Sequence, residues 1–161
     1  FAVTGLIGMA LPAAAADLAR TVITAKIANL DKIREFVECT AAGFQVPEDA
    51  VFDVALAVYE AASNIIEHGY RGVPGEIEIE INHNGDSLVI SLRDRAPVFD
   101  PTRLPAPDLS LPLERRQIGG LGVFMMQESV DQLRHKPLPE GGNELVLVKR
   151  RRRKDKKSIR K

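Results

Sequence analysis

Residues 60–70, EAASNIIEHGY, close a long apolar-patterned segment, yet they carry Glu60, Asn64 and His68 at four-residue intervals. On an α-helix each residue turns about 100°, so Asn64 lies about 40° from Glu60 and His68 about 80°. Val51, Val54, Val58, Ala62 and Ile65 of the same segment cluster on the far side. The polar stripe is therefore expected to turn away from the main core. Two readings of it stand at this point. It is an ordinary solvated face, or it is one wall of a ligand site, where a carboxylate supplies a base and a carboxamide a neutral oxygen suited to Mg²⁺ and phosphate.

The surrounding pattern sets the fold class. TVITAKI, residues 21–27, alternates as a strand, and Asn29 stands as an N-cap before a helix with Leu30, Ile33, Phe36 and Val37 at helical spacing. Pro47 opens a second helix, with Glu48 and Asp49 in the first turn where the helix dipole favours acids, and it should run to about His68. GEIEIEINHNG and DSLVISLRD alternate around the Asn84-Gly85 turn, a hairpin signal. A proline-rich loop covers residues 96–112, GGLG at 119–122 precedes a helical VFMMQESVDQL, and NELVLVK closes with a strand. This order predicts an α+β fold: a two-layer α/β sandwich, with a mixed, mostly antiparallel sheet and helices on one face.

With 161 residues, 45% of them hydrophobic, the chain is long enough for one domain with a real core. The single cysteine, Cys39, excludes an internal disulfide framework and fits a reduced, cytoplasmic setting; it reads as a small packed hydrophobe. The net charge of zero hides a strong asymmetry. Residues 149–161 hold 10 of the 22 basic residues and one of the 22 acids, leaving 12 basic and 21 acidic residues elsewhere. Three segments follow: an apolar stretch at 1–19, too short and too interrupted by Pro12 to span a bilayer, a globular domain at 20–149, and a basic tail at 150–161 expected to be solvated and disordered. Such a tail is suited to nucleic acid or another anionic surface through counterion release, but no aromatic residue interleaves with its charges to stack on bases.

Two later segments bear on the opening stripe. DRAPVFDP ends a strand with Asp94, and a buried acid there accepts a hydrogen bond from an exocyclic amine such as that of adenine. IGGLGVFMM places Gly119, Gly120 and Gly122 at a helix entry, where absent side chains let phosphates approach backbone amides. In this order and spacing, the three segments resemble the N box and the two glycine boxes of the Bergerat-fold (GHKL) ATPase superfamily, with its histidine-kinase-like ATPase domains. Within it they are most similar to the anti-sigma-factor serine/threonine kinases of bacterial partner-switching modules. The resemblance covers about residues 21–149.

That resemblance implies roles residue by residue. Glu60 matches the general base, Asn64 the ligand of a Mg²⁺ that bridges the phosphates of ATP, and Asp94 the acid that reads adenine, with Phe99 following in the same box. Gly119, Gly120, Leu121 and Gly122 match the hinge of an ATP lid at residues 103–118, in which Arg115 and Arg116 either reach the terminal phosphate or stand exposed. His68 matches a common N-box position and is expected to close the helix. Ala96 departs from the usual glycine of the first glycine box, so its methyl is expected to crowd the adenine pocket, and to strain the backbone if φ there is positive. The implied partners are a small antagonist protein of the anti-anti-sigma type, a sigma factor, and a second copy of the chain. The alternative is a non-catalytic partner-binding module with weak or lost ATP binding.

Overall fold

The computed structural model of the chain describes residues 18–115 and 120–150; expectations for the apolar leader, for tail residues 151–161, and for Arg116 and Gly119 lie outside the described residues. The chain runs β1 (Leu18–Thr24), α1 (Leu30–Gly43), α2 (Glu48–Asn64), β2 (Glu76–His83), β3 (Ser87–Asp94), α3 (Leu121–Ser129), β4 (Gln132–Pro137) and β5 (Asn143–Arg150). The strands form one five-stranded sheet in the order β1-β2-β3-β5-β4. Every pairing among the described residues is antiparallel, so the α+β sandwich is as expected but its sheet is not mixed.

Period-two alternation gives the sheet its two faces. Ile77, Ile79 and Ile81 of β2, Leu88, Ile90 and Leu92 of β3, and Leu145 and Leu147 of β5 all point to the helices and are buried. The register aligns them in rows, with Ile79 opposite Leu92 and Leu92 opposite Leu145. The other face carries an ion-pair ladder: Arg93 reaches Glu78 Oε1 at 2.8 Å and Glu144 Oε1 at 2.9 Å. Burial alone lowers the Arg93 pKa, but the hydrogen bonds to Glu78 and Glu144 outweigh it and hold the guanidinium charged. These half-exposed pairs are each worth about 1 kcal/mol or less, so the helix-covered face holds the fold together.

Helix α2 is the middle of the helical layer, between α1 and α3. Val54, Val58 and Ala62 are buried as the apolar stripe predicts, and Ala50, Ala55, Ala57 and Ala61 are buried as well. Alanines on the flanks let the neighbouring helices approach closely, and each fully buried valine contributes about 1.5–3 kcal/mol. The helical segment runs to about its expected end near His68, but not as an α-helix throughout. It widens into a π-helical turn, Ile65–Tyr70, closed by Arg71 in the left-handed region at φ 51°.

Several local expectations are corrected. Asn29 does not cap α1 with its side chain; its Nδ2 donates to Thr24 O at 2.9 Å and ties the end of β1 to the helix start. The first strand begins at Leu18 and ends at Thr24, because it is bounded by its pairing with β2. Cys39 is exposed, since the buried stripe of α1 is Leu30, Ile33, Val37 and Ala41. The helix after GGLG stops at Ser129, where Lys149 Nζ takes the Ser129 carbonyl at 2.9 Å and also pairs with Asp53 at 2.7 Å. Residues 132–137, partly read as helix, pair with β5 instead.

The turn before β5 is sterically demanding. Gly142 has φ 99°, and a Cβ on it would run into the Asp94 carbonyl and come within 2.9 Å of Arg95 Cα. Gly142→Ala is therefore expected to destabilise the protein by about 2–3 kcal/mol in urea unfolding. Gly85→Ala, at φ 87° but in open space, carries the φ strain without the collision and should cost about 1 kcal/mol. Equal losses for the two would show that the backbone contact at Gly142 carries no weight.

Candidate functional site

The inward rows of the sheet change character at one end. One step beyond Leu92 the row of β3 reaches Asp94, opposite Asn143 of β5, and one step beyond Leu133 the row of β4 reaches His135. The alternation that buries leucines thus buries three polar side chains, and they satisfy one another. Asn143 Nδ2 donates to Asp94 Oδ1 at 3.0 Å and to Pro97 O at 3.2 Å. Its Oδ1 accepts from Phe99 N at 2.9 Å, so His135 Nε2, 2.8 Å from the same oxygen, carries the proton. Asn143 therefore stitches the loop after β3 to the β4–β5 hairpin.

Asp94 is buried at the pocket end of β3. Burial pushes its carboxyl pKa above the ordinary aspartate value, partly offset by the Asn143 amide, the Ala96 N–H and the charge of His135. Among the described residues, the hydrogen bonds that reach this carboxylate both land on Oδ1: Asn143 Nδ2 at 3.0 Å and Ala96 N at 2.9 Å. Asp100 behaves differently: burial raises its pKa, but the Thr102 hydroxyl and amide, His135 and Arg103 outweigh it and lower the net value. It caps the short 3-10 turn Pro101–Arg103 through Thr102 N at 2.9 Å.

Tyr70, the last residue of the opening stretch, is buried and links this loop to α2. Its hydroxyl donates to Glu76 O at 2.7 Å and accepts from Arg95 N at 2.8 Å. The π-helical turn is what swings Tyr70 inward and leaves His68 exposed on the cleft side. His68 lies in the last turn of this helical segment, and its carbonyl accepts from Arg71 Nε at 3.0 Å.

Between these parts lies a two-chambered cleft. The inner chamber, about 40 Å³, is mainly apolar and lined by Ala61, Asp94, Ala96, Met126, Asn143 and Leu145, among others. Asn64, Gly69, Pro97 and Phe99 border it and also the outer chamber of about 550 Å³, which reaches His68, Arg71, Leu104 and Gly120. Glu60 and Asn64 are half-buried rather than solvated, because α3 and the loop after β3 close over them. Glu60 rests against the start of α3: a Cβ on Gly122 would lie 2.6 Å from Glu60 Oε2.

The structure therefore brings together Asn64, Asp94, Ala96, Phe99 and Gly120 along one cleft, with Glu60 and Gly122 in contact beside it. Leu121 is 47% exposed at the first turn of α3, and Arg115 is exposed and borders neither chamber. Ala96 is buried, and its φ is not positive, so the expected backbone strain is absent. An acceptor carboxylate at the end of an apolar slot, opening past a carboxamide to a glycine helix entry, fits a purine followed by phosphates. Asn143, His135 and Tyr70 were not singled out from sequence. Only the alternation Leu133–His135 and Asn143–Leu145 carries a signal for the first two.

A family described as a histidine kinase-like ATPase domain matches residues 23–149. The serine-protein kinase RsbW of Bacillus cereus (strain AH187) is 32% identical over 89 residues, 53% of this chain and 56% of that protein. The serine-protein kinase RsbW of Bacillus thuringiensis subsp. konkukian (strain 97-27) is also 32% identical over 89 residues, with the same 53% and 56% shares. That of Bacillus cereus (strain G9842) is 30% identical over 89 residues, again 53% and 56%. The chain thus spans a little over half the length of these curated relatives.

Proposed function

The chain belongs to the histidine kinase-like ATPase domain family, and from that premise we propose that it is an ATP-dependent protein serine/threonine kinase and anti-sigma regulator of the cytoplasm. It phosphorylates a small antagonist protein and sequesters a sigma factor. The observation that carries this reading is the buried Asp94 carboxylate at the end of an apolar slot that opens at Asn64. The similarity to serine-protein kinases supports the choice of acceptor.

Asp94 accepts from the adenine amine, held in place by Asn143 and the Ala96 amide. The Asn64 carboxamide oxygen would hold Mg²⁺ at the phosphate end, where the ion would neutralise phosphate charge. Among the described residues no group of three His, Cys, Asp or Glu could hold a metal by itself, and Mg²⁺ ordinarily binds through one or two protein ligands plus phosphate oxygens. Glu60 takes the proton from the attacking serine hydroxyl at its carboxylate. Gly120 and Gly122 belong to the hinge of the lid, on which Arg115 rides. The catalytic contribution is mainly positioning and charge neutralisation.

No helix among the described residues is long and apolar enough to cross a membrane. A second copy is proposed to pair through the open sheet face, where Leu18 and Val22 are 49% and 52% exposed. The basic tail supplies an anion-seeking arm for nucleic acid or another acidic surface. A second reading, a sequestering module without kinase chemistry, is favoured by the narrowness of the inner chamber beside the Ala96 methyl.

Calorimetric titration separates the two. Mg-ATP is expected to bind the wild type, and Asn64→Ala to bind about tenfold more weakly and lose the difference between titrations with and without Mg²⁺. No heat of binding in the wild type would leave the sequestering module as the working function.

A further inference from the structure

The methyl group at position 96 has a counterpart. A Cβ built on Gly69 would stand 3.0 Å from Ala96 Cβ, closer than side chains ordinarily approach. The two positions therefore share room for one methyl, and Ala96 fills it. Gly69 belongs to the π-helical turn that ends α2, and Ala96 to the loop that follows Asp94, so the contact joins the two halves of the cleft.

Hydrogen bonds resist the retreat of either partner. The Ala96 N–H donates to Asp94 Oδ1 at 2.9 Å, and its carbonyl accepts from Asn143 Nδ2 at 3.4 Å. One residue along from each, Tyr70 Oη accepts from Arg95 N at 2.8 Å and stitches the two segments together. Widening the gap would strain that part-buried stitch, and the Tyr70 side of it is buried, so losing the bond carries a cost. A second methyl must instead push on residue 96, whose amide is one of the two groups that orient the Asp94 carboxylate.

We infer that Gly69 and Ala96 are a complementary positioning pair: the missing side chain at 69 makes room for the methyl at 96, and their contact sets the orientation of Asp94 toward the purine. This inference rests on the nucleotide-binding reading of the same cleft. Ala96 is then a fitted methyl rather than an obstruction: a second methyl at 69 would stand 3.0 Å from it, and one of the two segments must shift by a few tenths of an ångström to admit it.

The test is a double-mutant cycle in the full chain, with Gly69→Ala, Ala96→Gly and the double variant titrated with Mg-ATP and with Mg-GTP and unfolded thermally. Gly69→Ala is expected to weaken Mg-ATP binding about tenfold and to bring the ATP and GTP affinities closer together. Adding Ala96→Gly should recover both the affinity and the preference for ATP, because contacting positions couple non-additively. General destabilisation would not move the ATP/GTP ratio of the folded protein. A double variant as weak as Gly69→Ala, or additive effects, would overturn the pairing. If the wild type takes neither nucleotide, the binding reading fails, but the unfolding midpoints still decide: recovery in the double variant supports the pair and additivity removes it.

Discussion

Replacing Glu60 by glutamine is expected to slow phosphoryl transfer to a serine-bearing antagonist about 10²–10⁴-fold while Mg-ATP affinity stays close to that of the wild type. Glutamine keeps the size and hydrogen-bonding reach of the side chain and removes only its ability to take a proton. The carboxylate is well placed to be held for that task. It lies against Gly122 at the first turn of α3, where a Cβ would stand 2.6 Å from Oε2. The missing side chain at Gly122 is what lets the carboxylate approach the helix start. Gly122→Ala offers a second probe that leaves the acid chemically intact. Its methyl displaces the carboxylate, the free end of a flexible side chain, so folding should survive while transfer slows. Single-turnover transfer of labelled phosphate, measured beside calorimetric binding, reads both variants. Transfer unchanged in Glu60→Gln would place the proton acceptor elsewhere.

The elements legible in the sequence are those whose burial follows a local period. Ile77, Ile79 and Ile81 alternate into the core, and Val54, Val58 and Ala62 do so at helical spacing. Asn84 and Gly85 turn the hairpin as their types require, with Gly85 at φ 87° and Asn84 Oδ1 accepting from Ser87 N at 3.1 Å. What escaped depends on partners distant in the chain. β4, Gln132–Pro137, is short, charged and ends in proline; it is a strand because β5 offers it a free edge. The polar stripe on α2 was expected to face away from the core, and it does. Its half-burial comes from α3 and the loop after β3, a layer that no helical wheel contains. The π-helical turn likewise breaks the four-residue arithmetic beyond Asn64, yet His68 still lines the outer chamber together with Asn64. Asn143 is the clearest case. Its types and spacing announce only a strand start, while its five hydrogen-bond contacts join three chain segments.

Asp94→Asn should separate stability from function in opposite directions. The Asp94 pKa is raised by burial, with Asn143, the Ala96 amide and His135 offsetting part of the shift. An acid whose folded pKa lies above its unfolded value binds protons more tightly when folded. Its contribution to stability therefore falls as pH rises from the unfolded value through the folded one, and the full cost persists at neutral pH. Asparagine keeps an oxygen for Asn143 Nδ2 and Ala96 N, which both bind Oδ1, and it carries no charge to desolvate. The variant is thus expected to unfold at higher urea concentration than the wild type at pH 7, with the difference closing at acidic pH. Nucleotide binding moves the other way. The new amide donor meets the exocyclic amine donor of adenine, so Mg-ATP affinity should drop by roughly 10- to 150-fold. Guanine presents an acceptor at the same position, so the ATP/GTP preference should narrow or invert. A buried charge kept at a cost to the empty fold is what a reading group requires: the acid is stabilised when a donor arrives and is a liability otherwise. An Asp94→Asn protein that gained no stability and kept its preference for ATP would remove Asp94 from base recognition.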